Sequence, residues 1–237
     1  MEPAALCFFD VGGPADPLTA LQGSPQGQYL RWYLADLGAR TGIVEPHYFD
    51  RDYLSEFAAF YCRSSAGYRN CCQRLHYFAA EVSRECFERA AGGDPAALVT
   101  VQEAYLGFIV RRPIPGTPFG RTALRWYPDQ TPRLPRVVDP SREYTCHVAG
   151  VELKVRGLAW QQQDAGVGAC ATIALWSMLH SSALDDRHVI PTTAEITQTA
   201  YKTGLSADPL FPSNGLNFSQ IVATVRDSGF APADRRW

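Results

Sequence analysis

The run CATIALWSMLH, residues 170–180, constrains the fold of this chain more than any other segment. Drawn as a helix it is apolar on nearly every side: one face carries Ala171, Ala174, Leu175, Met178 and Leu179, and Ile173 and Trp176 cover much of the rest. A helix of this kind is normally buried, so the rest of the chain must supply a core around it. The composition allows this. The chain has 237 residues, 46% hydrophobic and 19% charged, which suits one large or two small folded domains.

Upstream of this helix the signals are mixed, and they predict an α+β fold. Helical spacing of apolar residues predicts helices over 27–39, 50–62 and, with a possible break, 68–90. Strands are predicted over 4–9, 105–110 and, with a bend at a glycine, 147–155. The sequence therefore predicts a mixed, mainly helical region with a small sheet over 1–127, a proline-rich connection over 128–145 and a C-terminal half over 146–237.

Two helices downstream have recognisable start signals. Thr192 is followed three residues later by Glu195, and Asn217 is followed at the same offset by Gln220. Both pairs have the pattern of a capping box, which predicts helices that begin there and end near Gly204 and Gly229.

The start of the apolar helix at Cys170 carries no such signal. Gly168 and Ala169 stand where a capping side chain is expected, so the first N–H groups lack a local partner. Free amides and the positive end of the helix dipole favour a thiolate at Cys170 and an oxyanion beside it. The alternative is that Cys170 is a small buried residue that opens a core helix, since free cysteines are among the most buried residues.

The run QQQDAGVGACATIALWSML resembles the Gln-to-Cys segment of papain-like cysteine peptidases, closest to the bacterial C39-like branch. In that family a Gln side chain helps to form the oxyanion hole and usually stands six residues before a Cys that opens the central helix. Here the matching Cys is Cys170. Gln163 stands seven residues before it and Gln162 eight, a departure of at least one residue, and Ala171 stands where a Gly often follows the nucleophile.

The resemblance covers about 157–237, including Gly215-Leu216 and the helix after them. It implies the nucleophile-helix half of a papain-like fold, and cleavage of a peptide or isopeptide bond through a thioester on Cys170. Gln163 and the Cys170 amide would stabilise the oxyanion, while Gln162, Asp164 and Gly168 would support the loop. No metal or organic cofactor is implied.

The resemblance implies a catalytic His on a strand beyond the Gly-Leu helix, about where this sequence reaches Trp237. The expected partners are therefore a protein or peptide substrate and a C-terminal half or partner chain that supplies this His. Within the sequence, His188 is the possible base, because it lies on a predicted loop and its distance from Cys170 is not fixed by a helix or strand. His180 lies ten residues after Cys170 on the same helix, about 15 Å along its axis.

Two other functions remain open. The papain-like half is equally compatible with a non-catalytic binding or scaffolding module, and the same Cys serves transglutaminase-like acyl transfer. A net charge of −2 argues against nucleic acid as a partner, and no apolar run approaches the roughly 18 residues of a membrane span. The absence of a signal-peptide pattern and seven irregularly spaced cysteines predict a cytoplasmic protein without a metal site.

Overall fold

The computed structural model describes residues 6–126, 141–182, 189–202 and 210–232, and it confirms the predicted α+β class. The strands are β1 (Cys7–Asp10), β2 (Thr41–Tyr48), β3 (Cys72–Phe78), β4 (Tyr105–Arg111), β5 (Phe119–Leu124), β6 (Arg142–Val148) and β7 (Val151–Gly157). The helices are α1 (Pro25–Asp36), α2 (Arg51–Ala59), α3 (Arg84–Ala91), α4 (Pro95–Ala104), α5 (Cys170–Ser182), α6 (Thr193–Lys202) and α7 (Phe218–Asp227). Every helix in these ranges falls short of the length and apolar character that crossing a membrane requires.

The chain divides into two compact units, each built from discontinuous stretches. The first unit comprises Met1–Tyr48, Gln73–Arg111 and Thr122–Leu158, and the second comprises Phe49–Cys72, Arg112–Arg121 and Ala159–Trp237. The sequence instead predicted three consecutive regions, 1–127, 128–145 and 146–237. Most of the predicted proline-rich connection lies outside the described residues, and its end belongs to β6, which begins at Arg142.

A five-stranded sheet in the order β1-β2-β3-β4-β5 organises the first unit. The predicted helix over 68–90 is wrong over residues 72–78, which form β3, and is confirmed only from Arg84, where α3 begins. β3 is nearly buried along its whole length and pairs with β4 in antiparallel register. A strand covered on both faces lacks the alternation of polar and apolar residues, so its sequence does not reveal the strand period.

The predicted strand over 147–155 is a hairpin of β6 and β7, which pair in antiparallel register. The chain reverses at Ala149 and Gly150, with φ angles of 46° and 89°. Positive φ at both central residues is the requirement of the type I′ turns that favour tight hairpins. Along β7 the buried residues alternate strictly with exposed ones, so one face of the hairpin packs inward.

Four helices, α2, α5, α6 and α7, organise the second unit; α6 contacts the other three. The buried side of α5 carries Thr172, Leu175, Trp176, Leu179 and His180. The sequence predicted a helix buried on nearly every side; Trp176 is fully buried, but Ala174 and Met178 are exposed, so the structure buries one side only. Periodicity could not separate the two faces, since both are apolar in sequence.

The capping boxes predicted for α6 and α7 are both present. The Thr192 Oγ1 accepts from the Glu195 N–H at 3.2 Å, and the Glu195 carboxylate accepts from the Thr192 N–H at 2.7 Å. Asn217 and Gln220 make the same reciprocal pair at the start of α7, at 2.9 and 3.0 Å. These starts could be predicted because each depends only on residues three positions apart.

Candidate active site

Cys170 is the first residue of α5, and its side chain is exposed. Its Sγ donates a hydrogen bond of 2.5 Å to the Gln163 Oε1. The first hydrogen bond at this helix start runs from the Ile173 N–H to the Ala169 carbonyl at 3.0 Å. The N–H groups of Cys170 and Ala171 therefore precede the helical ladder, where the helix dipole favours negative charge.

Asp164 organises the loop between Gln163 and Cys170. Its Oδ1 accepts hydrogen bonds from the N–H groups of Gly166, Val167 and Gly168, at 2.8, 2.7 and 3.1 Å. Its own N–H donates to the Gly168 carbonyl at 3.0 Å. The loop is thus folded around a buried carboxylate, and this is how a separation of seven residues still brings Gln163 to Cys170.

The loop is also tightly packed, which explains its glycines. A Cβ built on Gly166 would come within 2.8 Å of the Phe60 ring and 3.0 Å of the Tyr61 hydroxyl oxygen. A Cβ on Gly168 would meet the Ile173 Cδ1 at 3.0 Å. At Gly168, predicted as part of the supporting loop, a larger residue would therefore fit only if the end of the Ile173 side chain shifted.

Arg112 lies buried beneath this loop. Its Nη1 donates to the Asp164 Oδ2 at 3.2 Å and to the Glu56 Oε2 at 2.9 Å, and the Thr193 hydroxyl donates to the other Glu56 oxygen at 2.6 Å. One guanidinium thus faces two carboxylates. Burial raises the pKa of Glu56 to about 7, although Arg112 lowers it in part. Burial opposes the charge of Arg112, but Glu56 and Asp164 outweigh it and raise the pKa of Arg112.

A second buried polar contact holds α5. The Trp176 Nε1 donates to the Asp52 Oδ1 at 3.1 Å, and both side chains are buried. Burial and the neighbouring Asp50 raise the pKa of Asp52 to about 6. Asp50 in turn pairs with Arg121 at 3.1 Å. The indole N–H of a buried tryptophan needs such a partner, and this pair anchors α5 to the start of α2.

A cleft of about 840 Å³ opens at Cys170. It is lined by Gln163, by Tyr201 of α6 and by the segment 213–217. Gly215, with φ of +106°, and Leu216 form the predicted Gly-Leu turn and belong to this wall. Asp164 is the charged residue among the described lining residues, and its carboxylate is engaged by Arg112 and the loop amides. The described lining therefore combines polar and apolar groups and presents no unpaired charge.

The other predicted site residues are not at the thiol. The Gln162 side chain contacts residues 116–119 instead, accepting from the Phe119 N–H at 3.4 Å and donating to the Gly116 carbonyl at 3.3 Å. His188 lies outside the described residues. His180 is buried towards the far end of α5, with its ring centroid 4.1 Å from that of Trp176. Within the described lining of the cleft there is no histidine.

Sequence reasoning missed Arg112, Glu56 and Thr193. Nothing in the spacing of residues 56, 112 and 164 indicates that they converge. A composition of 19% charged residues offers many possible pairs. Only the fold selects this one.

Comparison of the chain with family models, with characterised proteins and with solved structures gives no match. A thiol, an amide side chain and helix N-terminal amides converge at an open cleft. That arrangement can stabilise a thiolate and an oxyanion formed next to it.

Proposed function

We propose that Cys170 is the nucleophile of a papain-like cysteine peptidase of the C39-like type, which cleaves a peptide or isopeptide bond. The observation that carries this proposal is the exposed Cys170 thiol, hydrogen-bonded to Gln163 at the N-terminus of α5 and open to a cleft. A buried thiol, or a Gln163 directed away from it, would have favoured the purely structural role. Gly215 and Leu216, which line the same cleft, support this interpretation.

The reaction would proceed in two steps. The Cys170 thiolate attacks the carbonyl carbon of the scissile bond, and the oxyanion that forms accepts hydrogen bonds from the Cys170 N–H and from the Gln163 amide. The C–N bond then breaks, and the amine leaves with a proton from the protonated base. Water hydrolyses the thioester, which releases the carboxylic acid and restores the thiol.

For this role the Gln163 amide must turn. In the structure its Oε1 accepts from the thiol, the correct arrangement for a protonated Cys170. After ionisation the sulfur has no proton to donate, and a half-turn of the amide brings Nε2 to the sulfur as a donor. The same donor then serves the oxyanion. The side chain is exposed, so this rotation meets little resistance.

The general base of the proposal is a histidine supplied by His188 or by a partner chain. A neutral substrate segment suits the cleft, because its described lining presents no unpaired charge. The second candidate function is a non-catalytic module that binds a protein or peptide in the same cleft. The observation that favours it is that no histidine faces Cys170 from the described lining.

Alkylation of the full chain with iodoacetamide at pH 6 separates the two functions. Cys62 is the internal control, because it is also exposed and lies in the same unit. We expect Cys170 to react about ten-fold faster than Cys62, as a roughly ten-fold larger thiolate fraction would produce. Mass spectrometry of the digested protein gives both rates from one sample.

Equal rates for the two cysteines would contradict the peptidase proposal and favour the binding module. The variant Cys170→Ala checks the assignment, since the fast-reacting fraction must vanish with it. A fast fraction that persists in this variant would assign the reactivity to another cysteine.

A further inference from the structure

The residues on either side of Gln163 are both held by the same buried side chain. The Arg112 Nη2 donates to the Gln162 carbonyl at 3.0 Å, and its Nη1 donates to the Asp164 carboxylate at 3.2 Å. Arg112 is 2% exposed. Its planar guanidinium presents donors in a fixed fork, so the two bonds set the direction of the backbone between Gln162 and Asp164.

Arg112 itself is fixed on the opposite side. Its Nη2 also donates to the Thr117 carbonyl at 3.0 Å, and the backbone N–H of Arg112 donates to the Pro118 carbonyl at 2.7 Å. Glu56 holds Nη1 at 2.9 Å. The guanidinium is thus anchored within residues 112–121 and α2, and it acts as a rigid support beneath the loop.

The support matters because Gln163 has little else to hold it. Its side chain is exposed, and its described hydrogen bond is the one with Cys170. The pairing of residues 116–119 with Gln162 adds a backbone bond, from the Gln162 N–H to the Phe119 carbonyl at 2.8 Å. The position of the Gln163 amide relative to the sulfur therefore depends on its two neighbours.

We propose that Arg112 is a positioning residue for the oxyanion site: by holding Gln162 and Asp164 it directs the Gln163 amide to Cys170. This inference rests on the proposed function of Cys170 and deepens it. Arg112 is not a catalytic residue, since it is buried and makes no described contact with the thiol. Its effect should disappear when the Gln163 side chain is absent.

The test is the pH dependence of Cys170 alkylation in the full chain, in wild type, Arg112→Lys, Gln163→Ala and the double variant. Lysine keeps a positive charge for Glu56 and Asp164, but its single ammonium cannot hold both the Gln162 carbonyl and the Asp164 carboxylate. We expect Arg112→Lys to slow Cys170 at pH 6 about ten-fold, by raising the midpoint of its pH profile about one unit. In the Gln163→Ala background the same change should have no further effect.

The matched control is Arg51→Lys. Arg51 lies in the same unit and also donates to a carbonyl and a carboxylate, those of Ile190 at 2.8 Å and Glu195 at 3.3 Å. It makes no described contact with the loop, so we expect the Cys170 profile to keep the wild-type midpoint. A loss of stability alone would lower the melting temperature of Arg112→Lys without moving this midpoint.

Asp164→Asn keeps the test decisive if Arg112→Lys does not fold. Asparagine retains an oxygen for the three loop amides, but its NH₂ group meets the guanidinium, donor against donor. The midpoint should again rise, and only when Gln163 is present. Suppose that Cys170 reacts faster than Cys62 but that the midpoint of its pH profile stays unchanged in these variants, or rises by the same amount when Gln163 is absent. Either result overturns the role of Arg112 and leaves the proposed function of Cys170 standing. A wild-type Cys170 no faster than Cys62 overturns the proposed function as well.

Discussion

At the scale of single residues, the site depends on one amide that can either accept or donate. Gln163 accepts from the Cys170 thiol in the structure, and the proposed chemistry requires it to donate after ionisation. A carboxylate has nearly the same shape but can only accept, and it adds a negative charge. Replacing this one side chain therefore separates a steric role from an electronic one.

We expect Gln163→Glu to slow alkylation of Cys170 at pH 6 more than Gln163→Ala does. The carboxylate cannot donate to the thiolate, and its negative charge disfavours ionisation of the thiol, whereas alanine only removes the donor. The rates are read by mass spectrometry of the Cys170 peptide. Gln198→Glu, at an exposed position on α6, is the matched control and should leave the rate unchanged. A Gln163→Glu protein as fast as wild type would contradict a donor role for the amide.

At the scale of elements, local signals predicted the structure where a local interaction decides it. The capping boxes at Thr192 and Asn217 follow from residues within one helical turn. β3 was mistaken for helix because burial on both faces removes its period, and its pairing with β4 joins residues that lie 27 to 38 positions apart. No short stretch of the sequence indicates that β3 pairs with β4.

The site divides in the same way. The convergence of Cys170 and Gln163 was expected from the run that contains both, and the geometry of loop 164–168 brings it about. The supporting cluster could not be predicted, since Glu56 and Arg112 come from separate stretches of the chain and meet only in the folded unit. Glutamate and arginine are common residues, and what distinguishes this pair is its burial, which is a property of the fold.

At the scale of the whole molecule, buried carboxylates make stability depend on pH. The pKa of Glu56 is raised from 4.5 to about 7, and that of Asp52 from 3.8 to about 6, mainly by burial. At these two carboxyl groups the native state therefore binds more protons than the unfolded state between these values, whereas at His76, whose pKa burial lowers to about 4, it binds fewer. Each raised carboxyl lowers stability as pH rises from its unfolded to its folded pKa, by up to about 1.4 kcal/mol for every pH unit between the two.

We expect Glu56→Gln to gain melting temperature relative to wild type as the pH rises from 4.5 to 7, because only wild type must ionise the buried Glu56. Glutamine can still accept a hydrogen bond from Arg112 but has no charge to desolvate, so the melting temperature of the variant should rise relative to that of wild type as pH rises. Thermal unfolding across this range measures the difference. Glu88→Gln removes an exposed carboxylate and should run parallel to wild type. Parallel curves for Glu56→Gln would show that Glu56 is ionised throughout.

Transfer of an acetyl group from p-nitrophenyl acetate tests most directly whether Cys170 is an acyl-accepting nucleophile. The sulfur attacks the ester carbonyl and nitrophenolate leaves, and because this leaving group needs no proton, the step depends on the thiolate and the oxyanion site alone. We predict about one equivalent of nitrophenolate per chain in a fast phase, with the acetyl group on Cys170 by mass spectrometry. The phase should be slower in Gln163→Ala and absent in Cys170→Ala. Acetylation of Cys62 and Cys170 at equal rates would contradict a nucleophile at the start of α5.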